Sequence, residues 1–345
     1  MTASLRILDA GLAATIQDSG RRGLQRFGVP VSGALDHVSL RIANVIAGNP
    51  PYMAAIEIIG AGLVAEVEAD SAVIAAAGMV SRFMVESGKS MHVVSGFRSF
   101  LARRGDILKI PPPKNGSVCY LAVEGGFDVA PVLGSRSTYR RAKIGGFQGR
   151  TLAKGDRLPL CQPAAAERPP VMLDVSLAAP EALRIMRGPN AGYFTPSAFE
   201  TLLSSTYTVS PSSDRMGLRL QGPALERAIG GELPSQGTTE GGMQVPPDGL
   251  PIMLLADRQT TGGYPRIATV IGADIAAAGR LTAGIAIRFE EVTRDEAVGL
   301  LKAQQSWLAS LPWLLKAAPA DAVSVERLLS NNLIDGVTSA GEDNP

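Results

Sequence analysis

The sequence has 345 residues, 46% of them hydrophobic, enough to bury a full core and, by the usual size range of domains, to form about two compact units. Lys+Arg total 33 against 32 Asp+Glu, a net charge of +1, which excludes a global field that recruits nucleic acid or an anionic membrane and leaves small molecules and proteins as partners. With 38 Gly, 24 Pro and 5% aromatic residues the chain favours many short strands over long helices, and its 2 cysteines, Cys119 and Cys161, cannot build a disulfide framework.

The first ten residues carry no charged-then-apolar leader, and every long apolar run is interrupted by Gly or a charge, so the expectation is a soluble chain in a reducing cytoplasm. In chain order, Ser32-Gly33-Ala34 opens the clearest helix of the first half, with Leu35, Val38, Ile42 and Val45 at helical spacing and Gly48-Asn49-Pro50-Pro51 as its stop. Short strands are predicted at 55–59, 63–68, 72–76, 91–94, 100–102, 107–110 and 118–123, each bounded by Gly, Pro, Ser or a charge. The Pro- and Ala-rich stretch 162–170 reads as an extended connector, giving units of 1–165 and 171–292 and an extension of 293–345. In the second unit strands are predicted at 183–186, 207–209, 217–220, 251–256 and 267–271, with a helix near 197–203. Beyond Phe289, residues 296–308 place Ala297, Leu300, Leu301 and Leu308 along one side of an amphipathic helix that covers a barrel, and 323–329 reads as one more helix.

Several motifs fail their context. Gly60-Ala61-Gly62-Leu63-Val64-Ala65 has dinucleotide-binding spacing, but the residues after it alternate as a strand, so no helix N-terminus is present to receive phosphate. Gly88-Lys89-Ser90 resembles the end of a P-loop, yet Phe83 stands where the leading glycine belongs. His37 and His92 lack neighbours in a metal-ligand pattern, so no metal is expected and both read as structural or surface residues. Ser135 and Ser137 have no matching histidine for serine hydrolysis.

The densest polar segment is Asp257-Arg258-Gln259-Thr260-Thr261-Gly262-Gly263-Tyr264-Pro265, which follows the apolar run 251–256 directly. It is either an ordinary Gly-rich hairpin turn or a site at the rim of a rigid sheet, where Gly262 and Gly263 let backbone amides approach a ligand. As a site, Asp257, Arg258 and Tyr264 are the catalytic candidates: the acid moves a proton while the guanidinium or the phenol meets a developing oxyanion. Gln259, Thr260, Thr261, Gly262 and Gly263 are the binding candidates beside them. Around Gly20, Asp18 and Arg21 either grip a carboxylate or phosphate or lock the turn as a salt bridge. Gln17 precedes them, and Gln244 and Arg219 either line the pocket or satisfy strand ends.

The rim segment with Gln244-Val245-Pro246-Pro247 before it resembles the allophanate hydrolase subunit 2 family, also called the biotin-dependent carboxyltransferase or KipA/PxpC family. Thr15-Ile16-Gln17-Asp18-Ser19-Gly20-Arg21-Arg22-Gly23 and the run 28–36 carry the same resemblance at the other end. Gly134-Ser135-Arg136-Ser137-Thr138, Gly155-Asp156 and Arg215-Met216-Gly217-Leu218-Arg219-Leu220 follow it between, so it extends from Leu5 to Phe289.

The resemblance implies a mainly β fold of two cyclophilin-like β-barrels facing one another, with a few short helices and a C-terminal helix. It also implies amide chemistry: either ATP-dependent opening of 5-oxoproline to glutamate, or carboxyl transfer from carboxybiotin to a urea-like nitrogen. No biotinylation sequence and no ATP-binding motif is present, so biotin is not attached here and ATP is used by a complex. The implied partners are a KipI/PxpB-like and a LamB/YcsF (PxpA)-like subunit. A KipA-like, non-catalytic antagonist of a kinase inhibitor is the remaining alternative.

Overall fold

The computed structural model describes residues 3–230 and 233–319. The chain is mainly β, with four α-helices among the described residues: α1 (His37–Ala47), α2 (Pro196–Ser204), α3 (Ile275–Ala278) and α4 (Arg294–Leu314).

Two antiparallel sheets enclose the first core. A six-stranded sheet runs in the order Arg157–Pro159, Ser4–Asp9, Leu63–Val67, Ile107–Ile110, Arg82–Ser87, Ser90–Ser95. A five-stranded sheet runs Ala13–Gln17, Ala55–Ile59, Val118–Val123, Ser71–Gly78, Ser99–Arg103. In the first sheet, Leu63, Ala65 and Val67 alternate inward while Glu66 meets Arg6 of the neighbouring strand on the outer face. The central strands Ser71–Gly78 and Val118–Val123 are buried on both faces, which is why they read as unbroken apolar runs. Their second face meets α1, with Val38, Ile42, Val45 and Ile46 in one cluster with Ala75, Ala77 and Tyr120.

Helix α1 begins at His37, later than the expected opening at Ser32-Gly33-Ala34, and for a local reason: the Asp36 carboxylate caps it, accepting from the backbone N–H of Val38 and Ser39. It stops at Gly48, whose φ of 84° is left-handed. The two tempting glycine motifs are turns: a hairpin at Gly88-Lys89, and at Gly60-Ala61-Gly62 the crossing from the five-stranded to the six-stranded sheet. Gly88 and Lys89 form the tight turn between Arg82–Ser87 and Ser90–Ser95, and Gly62 packs so closely that a Cβ would stand 2.3 Å from the Ile110 carbonyl oxygen. The connector is not loose either, because Ala165 and Ser71 exchange hydrogen bonds and Arg168 reaches the Ala47 carbonyl.

The second half closes into a seven-stranded barrel: Ala182–Arg187, Arg266–Val270, Gly242–Gln244, Ile252–Leu254, Gly217–Gln221, Tyr207–Val209, Ala286–Glu291. The closing pair, Ala182–Arg187 with Ala286–Glu291, is parallel, and the remaining barrel pairs are antiparallel. Leu183, Ile185, Tyr207, Val209, Met243 and Phe289 fill the interior together with Phe199 and Leu202 of α2.

Helix α4 runs longer than expected, from the capping box of Thr293 and Glu296 to Leu314. It lies on α1 and the turn Gly272–Asp274, burying Ala297, Leu308 and Leu311, while Leu301 stays 37% exposed. The helix thus covers α1 rather than a barrel wall alone. The segment 323–329 lies outside the described residues. The strands Ser4–Asp9, Ala13–Gln17 and Arg82–Ser87 are additions to those expected from sequence; the partners of the first two lie far along the chain, and the third forms a hairpin with Ser90–Ser95.

Candidate functional site

Just past the strand Ala13–Gln17 the chain folds over itself. Gly20 and Gly33, with φ of 80° and 92°, lie in contact, and a Cβ on Gly33 would come within 2.9 Å of the Gly20 nitrogen. This approach lets Arg21 N–H donate to the Val31 carbonyl at 2.8 Å and Ala34 N–H to the Asp18 carbonyl at 3.0 Å. The Asp18 carboxylate is saturated by donors: Gly20 N–H at 2.8 Å, Arg136 N–H at 2.6 Å, Ser135 Oγ at 2.6 Å and Ser137 Oγ at 2.5 Å. It ties two loops together and forms no ion pair with Arg21 among the described residues. Of the two roles expected from sequence, neither the carboxylate-gripping pair nor the locking salt bridge is what this aspartate does.

Arg21 is 1% exposed. One of its terminal nitrogens donates to the Ser137 carbonyl, while Nε and Nη1 have no partner. Burial pulls the guanidinium below its ordinary pKa against the pull of the Asp18 and Asp257 carboxylates. Gly145 makes room for it, since a Cβ there would lie 2.6 Å from Nη2. Gln17 is also fully buried: Nε2 donates to Thr15 Oγ1 at 3.0 Å and to the Thr138 carbonyl at 3.1 Å, leaving Oε1 unpaired.

From the other half, Asp257 arrives on the loop after Ile252–Leu254. Arg215 holds it through two nitrogens, Nε to Oδ2 at 2.9 Å and Nη2 to Oδ1 at 3.2 Å. The same guanidinium reaches across to the buried Glu57 and donates to the Gly33 carbonyl at 2.6 Å. Burial opposes the Arg215 charge, but Asp257 and Glu57 outweigh it, so its pKa moves upward. Glu57 also accepts from Leu35 N–H at 2.9 Å and Tyr120 Oη at 2.6 Å. Arg280 pairs with Asp36 at 2.9 Å in parallel. Both arginines come from the second half and both of these carboxylates from the first.

Other rim residues divide into two groups. Arg258 is buried, donating Nη1 to the Leu255 carbonyl at 3.3 Å with Nε unpaired. Burial lowers its pKa, against Glu240 and with Arg22. Gln259 Nε2 donates to Gln244 Oε1 at 2.9 Å, and Gly262 packs on that amide, where a Cβ would stand 2.6 Å from Gln244 Nε2. Thr261 and Gly262 ladder with Gln236 and Gly237, while Thr260, Gly263 and the 44% exposed Tyr264 lie along the open rim. Arg219 is on the outward face of the strand Gly217–Gln221, away from this gathering.

Two cavities flank the junction. One of about 430 Å³ lies between the halves, walled by Leu35, Ile59, Leu218, Leu255 and Leu281 with Arg215 among them. The other, about 280 Å³, sits at the start of α1 and is lined by Asp18, Arg22, Ser32, His37, Arg41 and Glu240. Burial lowers the His37 pKa, opposed by Asp36 and Glu240 and reinforced by Arg41 and Arg22. His37, expected from sequence to be structural, therefore faces a polar chamber.

Glu57, Arg215, Ser32 and Glu240 are not among the candidates that sequence pattern singles out. A lone acid in the apolar strand Ala55–Ile59 is the available signal for Glu57. Arg215 opens the same run that contains the candidate Arg219.

The two distant polar segments thus meet: Ser32 N–H donates to the Ala256 carbonyl at 3.0 Å, beside the contact of Arg215 with Gly33. Comparison with known proteins gives the family. The profile of the family described as carboxyltransferase domain, subdomain A and B, matches residues 27–291. The C-type 5-oxoprolinase subunit of Escherichia coli is 38% identical over 312 residues, covering 90% of this chain and 98% of that protein. Its namesake from Haemophilus influenzae is 37% identical over 302 residues, covering 88% and 96%. Among solved structures, the K. lactis urea amidolyase superposes with a TM-score of 0.81 at 26% identity over 94% of this chain, which spans 21% of that much longer one. The chain belongs to the carboxyltransferase family of subdomains A and B.

Proposed function

We propose that this chain is the C-type subunit of an ATP-dependent 5-oxoprolinase that opens the lactam of 5-oxoproline to glutamate. In that assembly KipI/PxpB-like and LamB/YcsF (PxpA)-like subunits bind the nucleotide and complete the pocket in the cytoplasm. The observation that carries the reading is the convergence of 15–36 with 244–265 around buried cations with unmade hydrogen bonds, in a chain that matches its 5-oxoprolinase relatives nearly end to end.

Hydrolysis of an amide places negative charge on the carbonyl oxygen and a proton on the leaving nitrogen. Arg21 and Arg258 each keep free N–H groups in a dehydrated setting, which suits them to the oxyanion. Asp257 has both oxygens engaged by Arg215, so its role is to hold that arginine and the junction in place.

The test mixes the chain with its neighbouring subunits and measures ADP and glutamate formed from 5-oxoproline. Arg21→Ala is expected to lower kcat about 100-fold, as loss of one oxyanion donor does. Asp257→Asn is expected to lower turnover together with stability. An active mixture in which neither change lowers turnover refutes the assignment.

A second reading, carboxyl transfer from carboxybiotin on a separate carrier, draws on the fold shared with the K. lactis enzyme and the apolar cavity between the halves. Urea-dependent loss of carboxybiotin, with no glutamate from 5-oxoproline, selects it.

A further inference from the structure

Within the chamber at the start of α1, more polarity is left unmatched than packing requires. Ser32 and Arg41 line it and are 4% and 7% exposed, and Ser32 Oγ and Arg41 Nε, buried just behind its wall, have no hydrogen-bond partner. Leaving such a group buried and unpaired costs about 1–3 kcal/mol. Two opposite charges also face the space, Arg22 and Glu240, and among the described residues neither side chain has an ion-pair or hydrogen-bond partner. Asp18 does not compete for the guanidinium groups, because four donors occupy its oxygens. Arg41 is fixed by two other residues of the chamber wall, Gln305, which accepts from Nη1 at 3.0 Å, and Tyr52, whose ring centre lies 4.7 Å from the guanidinium.

A chamber walled by residues with unmatched donors and by an unmatched carboxylate fits a ligand with both an anionic group and an N–H. Its volume of about 280 Å³ is at the small end of the range for ligand pockets, too small for a nucleoside triphosphate. We infer that this chamber is the subsite for a small carboxylic acid with a neighbouring amide: Arg22 and Arg41 receive the carboxylate and Glu240 accepts the amide N–H, leaving the amide carbonyl to the buried guanidinium groups of the junction. Naming 5-oxoproline as that acid rests on the function proposed above. Glu240 and Arg22 are then the residues that set specificity.

Three probes separate the recognised groups: 5-oxoproline, 2-pyrrolidinone, which lacks the carboxylate, and 5-oxotetrahydrofuran-2-carboxylate, the lactone that lacks the N–H. Binding to the full chain is read by ligand-observed NMR, and KM in the assembled complex. Wild type is expected to favour 5-oxoproline over each analogue by about tenfold, the value of one good charge-assisted contact. Arg22→Ala erases the preference over the pyrrolidinone and raises KM more than it lowers kcat, and Glu240→Gln erases the preference over the lactone. Both side chains are open to solvent on one side, so the variants keep the wild-type melting temperature.

Preferences unchanged in both variants, with unchanged KM, overturn the subsite even when the complex turns over. The predicted loss of preferences in a complex that opens no 5-oxoproline upholds the subsite and refutes the function instead.

Discussion

Replacing Glu57 by Gln tests the junction between the halves most directly. Glu57 is 0% exposed and its two oxygens serve three donors, Arg215, Leu35 N–H and Tyr120 Oη. The amide keeps the shape but turns one oxygen into a donor, which then faces either the Arg215 guanidinium or the Leu35 N–H, a mismatch of about 1–3 kcal/mol. It also removes one of two carboxylates that compensate a buried guanidinium. Breaking a buried pair costs about 3–5 kcal/mol, and the surviving contacts of Arg215 with Asp257 and Gly33 place this case near the lower bound. The expected loss is about 3 kcal/mol, roughly a 150-fold shift in the folding equilibrium.

Urea unfolding of the wild type, Glu57→Gln, Arg215→Met and the double variant reads this as a cycle. Arg215→Met alone should be worse, because it leaves Glu57 and Asp257 buried without their cation. The double variant should lose less than the sum by about 2 kcal/mol, as coupled neighbours do. A Glu57→Gln protein within about 0.5 kcal/mol of wild type, a surface-like effect, refutes the claim that this pair holds the halves together.

Further consequences follow from the same geometry. His37 has a folded pKa below its unfolded 6.5, so the unfolded chain binds the extra proton first and stability falls as the pH drops through that window. Melting temperatures at pH 7.5 and 5.5 should therefore differ less in His37→Asn than in wild type; equal differences reject the assignment. Gly33→Ala forces a Cβ to within 2.9 Å of the Gly20 nitrogen at a left-handed φ, for an expected loss of about 1–3 kcal/mol and of turnover, read by denaturation and the coupled assay. Cys119 is fully buried, and burial and Glu57 push its thiol up, whereas Cys161 is exposed. Ellman titration should find one thiol in the native protein and two after unfolding.

Much of the fold is legible locally. The runs 55–59, 107–110, 118–123 and 207–209 are strands at the same residues, because their apolar patterns end abruptly at Gly, Pro, Ser or a charge. Helix α1 announces itself through spacing and a glycine stop, although it starts at His37 behind its Asp36 cap rather than at Ser32-Gly33-Ala34. The site is legible only as two polar loops after apolar strands. Gln244 and Gln259 bond each other and Asp257 bonds Arg215, whereas Arg219 faces outward and Tyr264 is 44% exposed.

The sequence by itself determined the alternation of short strands, the two glycine-hinged polar segments and the near-zero net charge, since these depend on neighbours a few residues apart. Only the tertiary structure decided what each charge does. Asp18 is matched to Ser135 and Ser137, 117 and 119 residues away, and Glu57 to Arg215, 158 away. Such pairings are set by sheet register and by how the two halves close. A buried carboxylate takes whichever donors that closure brings within about 3 Å, and no local pattern encodes their identity.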